Sequence, residues 1–217
     1  MNCLVTAGPT YERMDKVRRL TNFSTGSLGC DLAAFLACQG HHVNLLLGEQ
    51  ATARPQQHSR QAVETFNTTA DLLEHLRAYA DRQVQAVFHA AAVSDFTFGK
   101  IFARDAKGEL SEVNSGKIST RQGNLLAELV PTPKVIAELR KCFPRSRLVG
   151  WKYEVEGDRS SVVRLAEKQL AETLTDACVA NGPAYGQGYG LAKPGGECVH
   201  IDNRAGLLIA LEKFILE

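Results

Sequence analysis

The N-terminal quarter of the chain is ordered as apolar run, long polar loop, helix and second apolar run, and that order leaves few folds open. Cys3-Leu4-Val5-Thr6 is a short stretch suited to a strand, closed by Ala7-Gly8-Pro9. Ser24-Thr25-Gly26 then opens a segment, Ser27 to Gln39, whose Leu28, Leu32, Ala33, Phe35, Leu36 and Ala37 recur at helical spacing before Gly40. His42 to Gly48 follows as a continuous apolar run, the pattern of a parallel strand covered on both faces. A βαβ unit of this kind needs helices on both sides of a mostly parallel sheet, so the fold expected is α/β, three-layered and doubly wound. Ligands of such sheets bind beyond the carboxyl ends of the strands. The first loop is therefore where chemistry is expected. It carries Thr10, Glu12, Arg13, Asp15, Arg18, Arg19 and Asn22, more polar length than a plain strand-to-helix connection needs.

The rest of the chain repeats the alternation. Gln61 to Phe66 reads as a short strand, and Thr69 and Asp71 can cap a helix through Asp81 with Leu72, Leu73, Leu76 and Tyr79 on its face. Val84 to Ala92 is a further buried strand, ending in Val93-Ser94-Asp95, and a polar residue at such a strand end makes Asp95 a site candidate or a loop-capping carboxylate. Residues 97–123, rich in Gly, Lys, Asp and Ser, read as a flap in which Lys100 to Leu110 can form a hairpin. Asn124 to Val130 suggests a strand, and Pro131-Thr132-Pro133 opens a helix with Val135, Ile136 and Leu139. Arg147 to Trp151 is a strand, and Ser160 to Thr173 a helix with Val163, Leu165, Ala166 and Leu170 inward. Asp176 to Asn181 is a strand, residues 182–196 a glycine-rich loop, Glu197 to Ile201 a short strand and Ala205 to Leu216 a closing helix. One domain over residues 1–217 is expected.

Composition narrows the function. A net charge of +1 gives no electrostatic basis for nucleic-acid or membrane binding. No run approaches the roughly 18 apolar residues of a membrane span, and the N-terminus has no leader pattern, so a soluble, cytoplasmic protein is expected. The six cysteines are widely spaced, with no CxxC pair and no zinc spacing, and read as reduced thiols. None of the six histidines supports a hydrolase: no serine sits in a G-x-S-x-G elbow, and His89, inside a strand, reads as a core histidine.

The glycines of the first loop, Gly8 and then Gly26 and Gly29, do not match G-x-G-x-x-G. Instead TAGPT with Glu12, Asp15, Val17-Arg18, Asn22, Ser24, Gly26 and Gly29 resembles the opening of the phosphopantothenate–cysteine ligases of coenzyme A biosynthesis, whose pattern is close to TAGGTxEPIDxVRxIxNxSSGxxG. HAAAVSDF resembles that family's AAAVxDxxP block, Lys117-Ile118 the start of its KIKK flap motif, RLVGW its VGFxxE strand with Trp151 for phenylalanine, and DACVAN its DxxVAN strand. The resemblance implies a Rossmann-like sheet with a flap or arm insertion, a homodimer, and a reaction in which CTP or ATP, with Mg²⁺, activates 4′-phosphopantothenate as an acyl-nucleotidylate that cysteine then captures. It also implies roles. Asn22 would act on the acyl-nucleotidylate and, with Ala92, on the substrate, Lys117 on the nucleotide phosphates, and Arg18 on a carboxylate or phosphate. Gly8, Ser24, Thr25, Gly26, Ala91, Asp95, Trp151 and Asn181 would bind nucleotide. The metal ligands stay open, as does CTP against ATP.

Several positions depart from the family. Ser27, Ser119, Thr120 and Thr173 stand where relatives often have lysine. A diverged paralogue that binds nucleotide but ligates weakly, or uses another acid, is therefore one alternative. An NAD(P)- or flavin-binding reductase is another, against which stand the missing glycine spacing and the lack of a Tyr-x-x-x-Lys pair. The pathway's decarboxylase is expected as a separate chain.

Overall fold

A computed structural model describes residues 1–119, 121 and 123–217; Thr120, one of the four lysine replacements, lies outside the described residues. In chain order the elements are β1 (Asn2–Ala7), β2 (Tyr11–Arg13), β3 (Arg19–Thr21), α1 (Ser27–Cys38), β4 (His42–Gly48), β5 (Gln61–Phe66), α2 (Thr69–Tyr79) and β6 (Ala86–His89). There follow β7 (Phe96–Arg104), β8 (Leu110–Glu112), β9 (Asn124–Pro131), α3 (Val135–Cys142), β10 (Arg147–Tyr153), α4 (Arg159–Thr173), β11 (Ala177–Asn181), β12 (Tyr189–Ala192), β13 (Val199–Ile201) and α5 (Arg204–Leu216).

Eight strands form one sheet in the order β13-β12-β11-β10-β6-β1-β4-β5. From β11 to β5 every pairing is parallel, and only β12 and β13 run antiparallel at one edge. Numbering the parallel strands by sequence gives 3-2-1-4-5-6, the doubly wound arrangement, with the reversal between β1 and β6. The expected mostly parallel, three-layer sheet is what the chain forms.

Side-chain alternation explains the continuous apolar runs. Cys3, Val5 and Ala7 of β1 and Phe88 of β6 pack with Leu32, Leu36, Leu207 and Leu211 of α1 and α5. Leu4 and Val87, on the opposite face, pack with Leu72, Leu76, Val135 and Leu139 of α2 and α3. A third cluster, Val162, Ala166 and Leu170 of α4 with Cys178 and Ala180, closes the sheet's β11 side. Each large side chain so enclosed contributes about 1.5–3 kcal/mol. The six cysteines are free thiols, and burial pushes Cys3 up to about 11 and Cys178 up to about 12. Among the described residues no helix is long and apolar enough to cross a membrane.

Local departures have identifiable causes. The third central strand stops at His89 rather than Ala92, because the next three N–H groups donate to Thr6 O, Thr6 Oγ1 and Gly8 O and turn the chain across the end of β1. Thr68, not Thr69, is the N-cap of α2, accepting from Asp71 N at 3.2 Å. On α4 the inward stripe is Val162, Ala166, Leu170 and Thr173, with Leu165 exposed. The first loop contains the hairpin β2–β3, and the glycine-rich stretch contains β12. The expected flap contains regular structure: β7 pairs with β8 inside it and with β9 beyond it, in a three-stranded antiparallel arm.

Candidate active site

At the reversal between β1 and β6 the strand ends open into a cleft of about 760 Å³. Five stretches of chain line it: residues 22–29 leading into α1, 89–95 after β6, 132–136 at the start of α3, 151–153 with Val155 at the end of β10, and Asn181 ending β11, with Gln169 from α4. Gly26, at φ 78°, is the N-cap of α1 and has no side chain to cap it; Thr25 Oγ1 accepts the Ser27 N–H at 3.3 Å. The Leu28 and Gly29 N–H groups are left for an anion. Gly8, at φ 79°, lies beneath: a Cβ on Gly26 would stand 3.2 Å from the Gly8 Cα, and one on Gly8 would meet Ala51 Cβ at 2.9 Å. These two glycines let the strand end and the helix start touch.

Nine of the residues singled out from sequence, Asn22, Ser24, Thr25, Gly26, Ala91, Ala92, Asp95, Trp151 and Asn181, line this cleft. Asn22 Nδ2 donates to Ala92 O at 2.9 Å, which joins the opening motif to the AAAVSD block. Trp151 Nε1 and Asn181 Oδ1 are buried with no hydrogen-bond partner among the described residues. An unpaired donor and an unpaired acceptor on neighbouring strands are costly unless a ligand satisfies them. Asp95 is ion-paired with Lys134, and both are largely exposed.

Arg18 and Lys117 are placed elsewhere. The β2–β3 turn docks on residues 116–118: Lys16 N donates to Gly116 O at 3.0 Å, Ile118 N to Asp15 Oδ2 at 3.2 Å, and the Arg18 guanidinium to Ile118 O. The Val17 N–H, then those of Ile118 and Arg18 and the Arg18 charge, hold the Asp15 carboxyl below its usual range. Arg18 and Lys117 therefore share one neighbourhood, and neither lines the cleft. Glu12 and Thr10, also polar residues of the first loop, have structural positions: Glu12 is buried and accepts from Thr69 N at the start of α2, and Thr10 Oγ1 accepts from Ser94 N.

Sequence reasoning missed three lining residues. Lys134 and Lys152 bring two cations to a cleft expected to be short of them. His89 lies on the cleft floor, its Nδ1 2.8 Å from Thr6 Oγ1, and desolvation by burial pulls its pKa down to about 4. No sequence signal marked it, since the apolar run continues to Ala92. Among the described residues no group of three or more His, Cys, Asp or Glu could hold a metal ion. Asp95 is the only carboxylate among the described lining residues, so this donor set makes no protein cage for Mg²⁺.

Strand order, a helix terminus with open N–H groups and an orphaned donor and acceptor in one crevice define a doubly wound α/β protein with a candidate small-molecule site at its switch point. The family model for the DNA/pantothenate metabolism flavoprotein C-terminal domain matches residues 1–207, and the chain belongs to that family. It is 30% identical over 179 residues to the coenzyme A biosynthesis bifunctional protein CoaBC of Thermococcus kodakarensis, a match covering 82% of this chain and 40% of that protein. The chain thus spans less than half the length of this and other curated relatives. Among solved structures, the DNA/pantothenate metabolism flavoprotein of Streptococcus pneumoniae superposes with a TM-score of 0.86 at 27% identity, covering 100% of this chain and 98% of that one. A Cab2 variant in complex with phosphopantothenate-cysteine shares the fold at a TM-score of 0.74 and 18% identity, covering 99% of this chain and 87% of that one.

Proposed function

We propose that this chain is a ligase joining 4′-phosphopantothenate to cysteine through an acyl-nucleotidylate formed from CTP or ATP. What supports the reading is the convergence of the family's separated motifs on one cleft, marked by the Asn22 to Ala92 hydrogen bond. In the first step a carboxylate oxygen attacks the α-phosphorus and the bond to pyrophosphate breaks. Ser24, Thr25, Gly26 and the α1 terminus would hold the triphosphate. Mg²⁺ would enter on that triphosphate, since the lining residues form no cage for it. In the second step the cysteine amine attacks the acyl carbon, a C–N bond forms and the nucleoside monophosphate leaves. Asn22 would donate from its amide to the oxygen that gains charge. Trp151 and Asn181 would be satisfied by the nucleoside. Arg18 and Lys117 would act by closure of the arm, and a homodimer would place its contact on the exposed apolar residues of that arm.

A second reading, a nucleotide-binding paralogue of low activity, draws on Thr173: it is buried, and its hydroxyl donates to Gln169 O at 2.7 Å, so it offers nothing to phosphates. One assay separates the two. Pyrophosphate release is measured with Mg²⁺ and 4′-phosphopantothenate, with CTP or ATP, with and without cysteine. Release that depends on the acid and drops about 100-fold in Asn22→Ala supports the ligase. A folded protein that binds either nucleotide and releases nothing is the paralogue.

A further inference from the structure

We infer that His89 is a hydrogen-bond donor to the acid substrate, presenting Nε2–H from the floor of the cleft to an oxygen of the carboxyl that becomes acylated; this rests on the ligase reading above. The tautomer follows from proton counting. Thr6 is fully buried, and its Oγ1 accepts the Ala91 N–H at 3.2 Å and lies 2.8 Å from His89 Nδ1. A buried hydroxyl needs an acceptor for its one proton, and among the described residues His89 Nδ1 is the one in reach. Thr6 therefore donates, Nδ1 accepts, and the neutral ring carries its proton on Nε2. Burial keeps the ring neutral at pH 7. Nε2 makes no hydrogen bond to a described residue, nor is it one of the buried atoms left unpaired, and His89 lines the cleft. The proton on Nε2 thus points into the space a ligand would fill.

The face of the sheet says which part of the ligand it meets. Thr6 and His89 follow Leu4 and Val87 by two residues, so they point to the α2 and α3 side, opposite the α1 terminus that suits a triphosphate. Beside the ring, β10 offers Gly150, paired in register with His89. A Cβ at Gly150 would stand 2.7 Å from both Ile136 Cδ1 and Gln169 Nε2, so those two lining side chains close in where β10 has none. An oxygen seated there is partly desolvated. A neutral donor orients a carboxylate without the ion pair that would blunt its attack on phosphorus. The same bond strengthens as the acyl oxygen gains charge during amide formation, with the proton staying on Nε2 throughout.

Two measurements test this. His89→Leu should lower kcat/KM for 4′-phosphopantothenate about 10–100-fold while the KM for the nucleotide stays within about two-fold, and His89→Gln, which keeps a terminal N–H, should recover most of the loss. A merely structural residue would move both KM values and the melting temperature together, with no recovery in Gln. In ¹⁵N NMR of the wild-type protein, the ring should be the neutral Nε2–H tautomer at pH 7, and its Nε2 signal should shift with 4′-phosphopantothenate but not with CTP or ATP alone. A wild-type protein that releases no pyrophosphate sinks the ligase reading alone, because the NMR titration still decides for His89. An Nδ1–H tautomer, an unresponsive Nε2, or a folded Leu variant of undiminished kcat/KM overturns the inference.

Discussion

The eight-stranded body and the three-stranded arm use the same kinds of apolar side chain in opposite environments. In the body Leu4, Val87, Phe88 and Leu148 are wholly excluded from solvent between helical layers. On the arm, Ile101 and Ala103 are buried, but Phe96, Leu110, Leu126, Leu129 and Val130 stand 41–55% exposed. The arm has ladder hydrogen bonds, the Asp15 tether and the β2–β3 hairpin against β7, and these leave the five exposed side chains uncovered by the described residues. An apolar residue stabilises only through what covers it. The body's residues are covered by this chain, whereas these five on the arm stand open to solvent.

The comparison can be broken at its strong end first. Phe88→Ala, at the centre of the sheet, should cost about 3–5 kcal/mol in urea-denaturation midpoint and slope. Next comes acid. The folded-state pKa of His89 lies near 4 against 6.5 for the free side chain, so below pH 6.5 the unfolded chain takes up a proton the folded one refuses. Stability is therefore full above that point and falls as the pH drops towards 4, by on the order of 3 kcal/mol. His89→Leu should remove this part of the pH dependence, and an unchanged slope would count against a buried neutral ring. Thr68→Ala, which deletes only the α2 cap, should lower stability by about 1 kcal/mol in the same titration. Leu129→Ala on the arm should change the stability of the isolated chain by no more than about 0.5 kcal/mol. If it costs as much as Phe88→Ala, the arm is covered after all, and sedimentation should reveal the second copy that covers it.

What the sequence made legible follows the same division. Strands buried on both faces declare themselves as continuous runs, so β1, β4 and β11 were read nearly to the residue. Strands of three residues, β2 and β3, and the glycine-bearing β12 carry too little pattern to be seen. The α4 stripe slipped because Val162 and Val163 are adjacent and either can begin a helical face; packing on Cys178 and Ala180 decides for Val162. Motif residues that sit on strand ends were placed together correctly, since the sheet fixes strand ends. Arg18 and Lys117 were not, because a hairpin and an arm set their positions and neither is written in local periodicity. His89 was read as core from its strand alone; its contact with the cleft appears only once β6 is known to stop there.

The strand order has a consequence in time. β1 is made before the other strands of its sheet yet belongs in the middle of it, between β4 and β6, and the cleft above it is incomplete until Asn181 has been made. Until β6 has been made, at His89, the nascent chain carries β1 with one side unpaired, a template for wrong partners. A chain stopped between Gly29 and β11 therefore has its opening motif in full but a cleft that lacks Asn181.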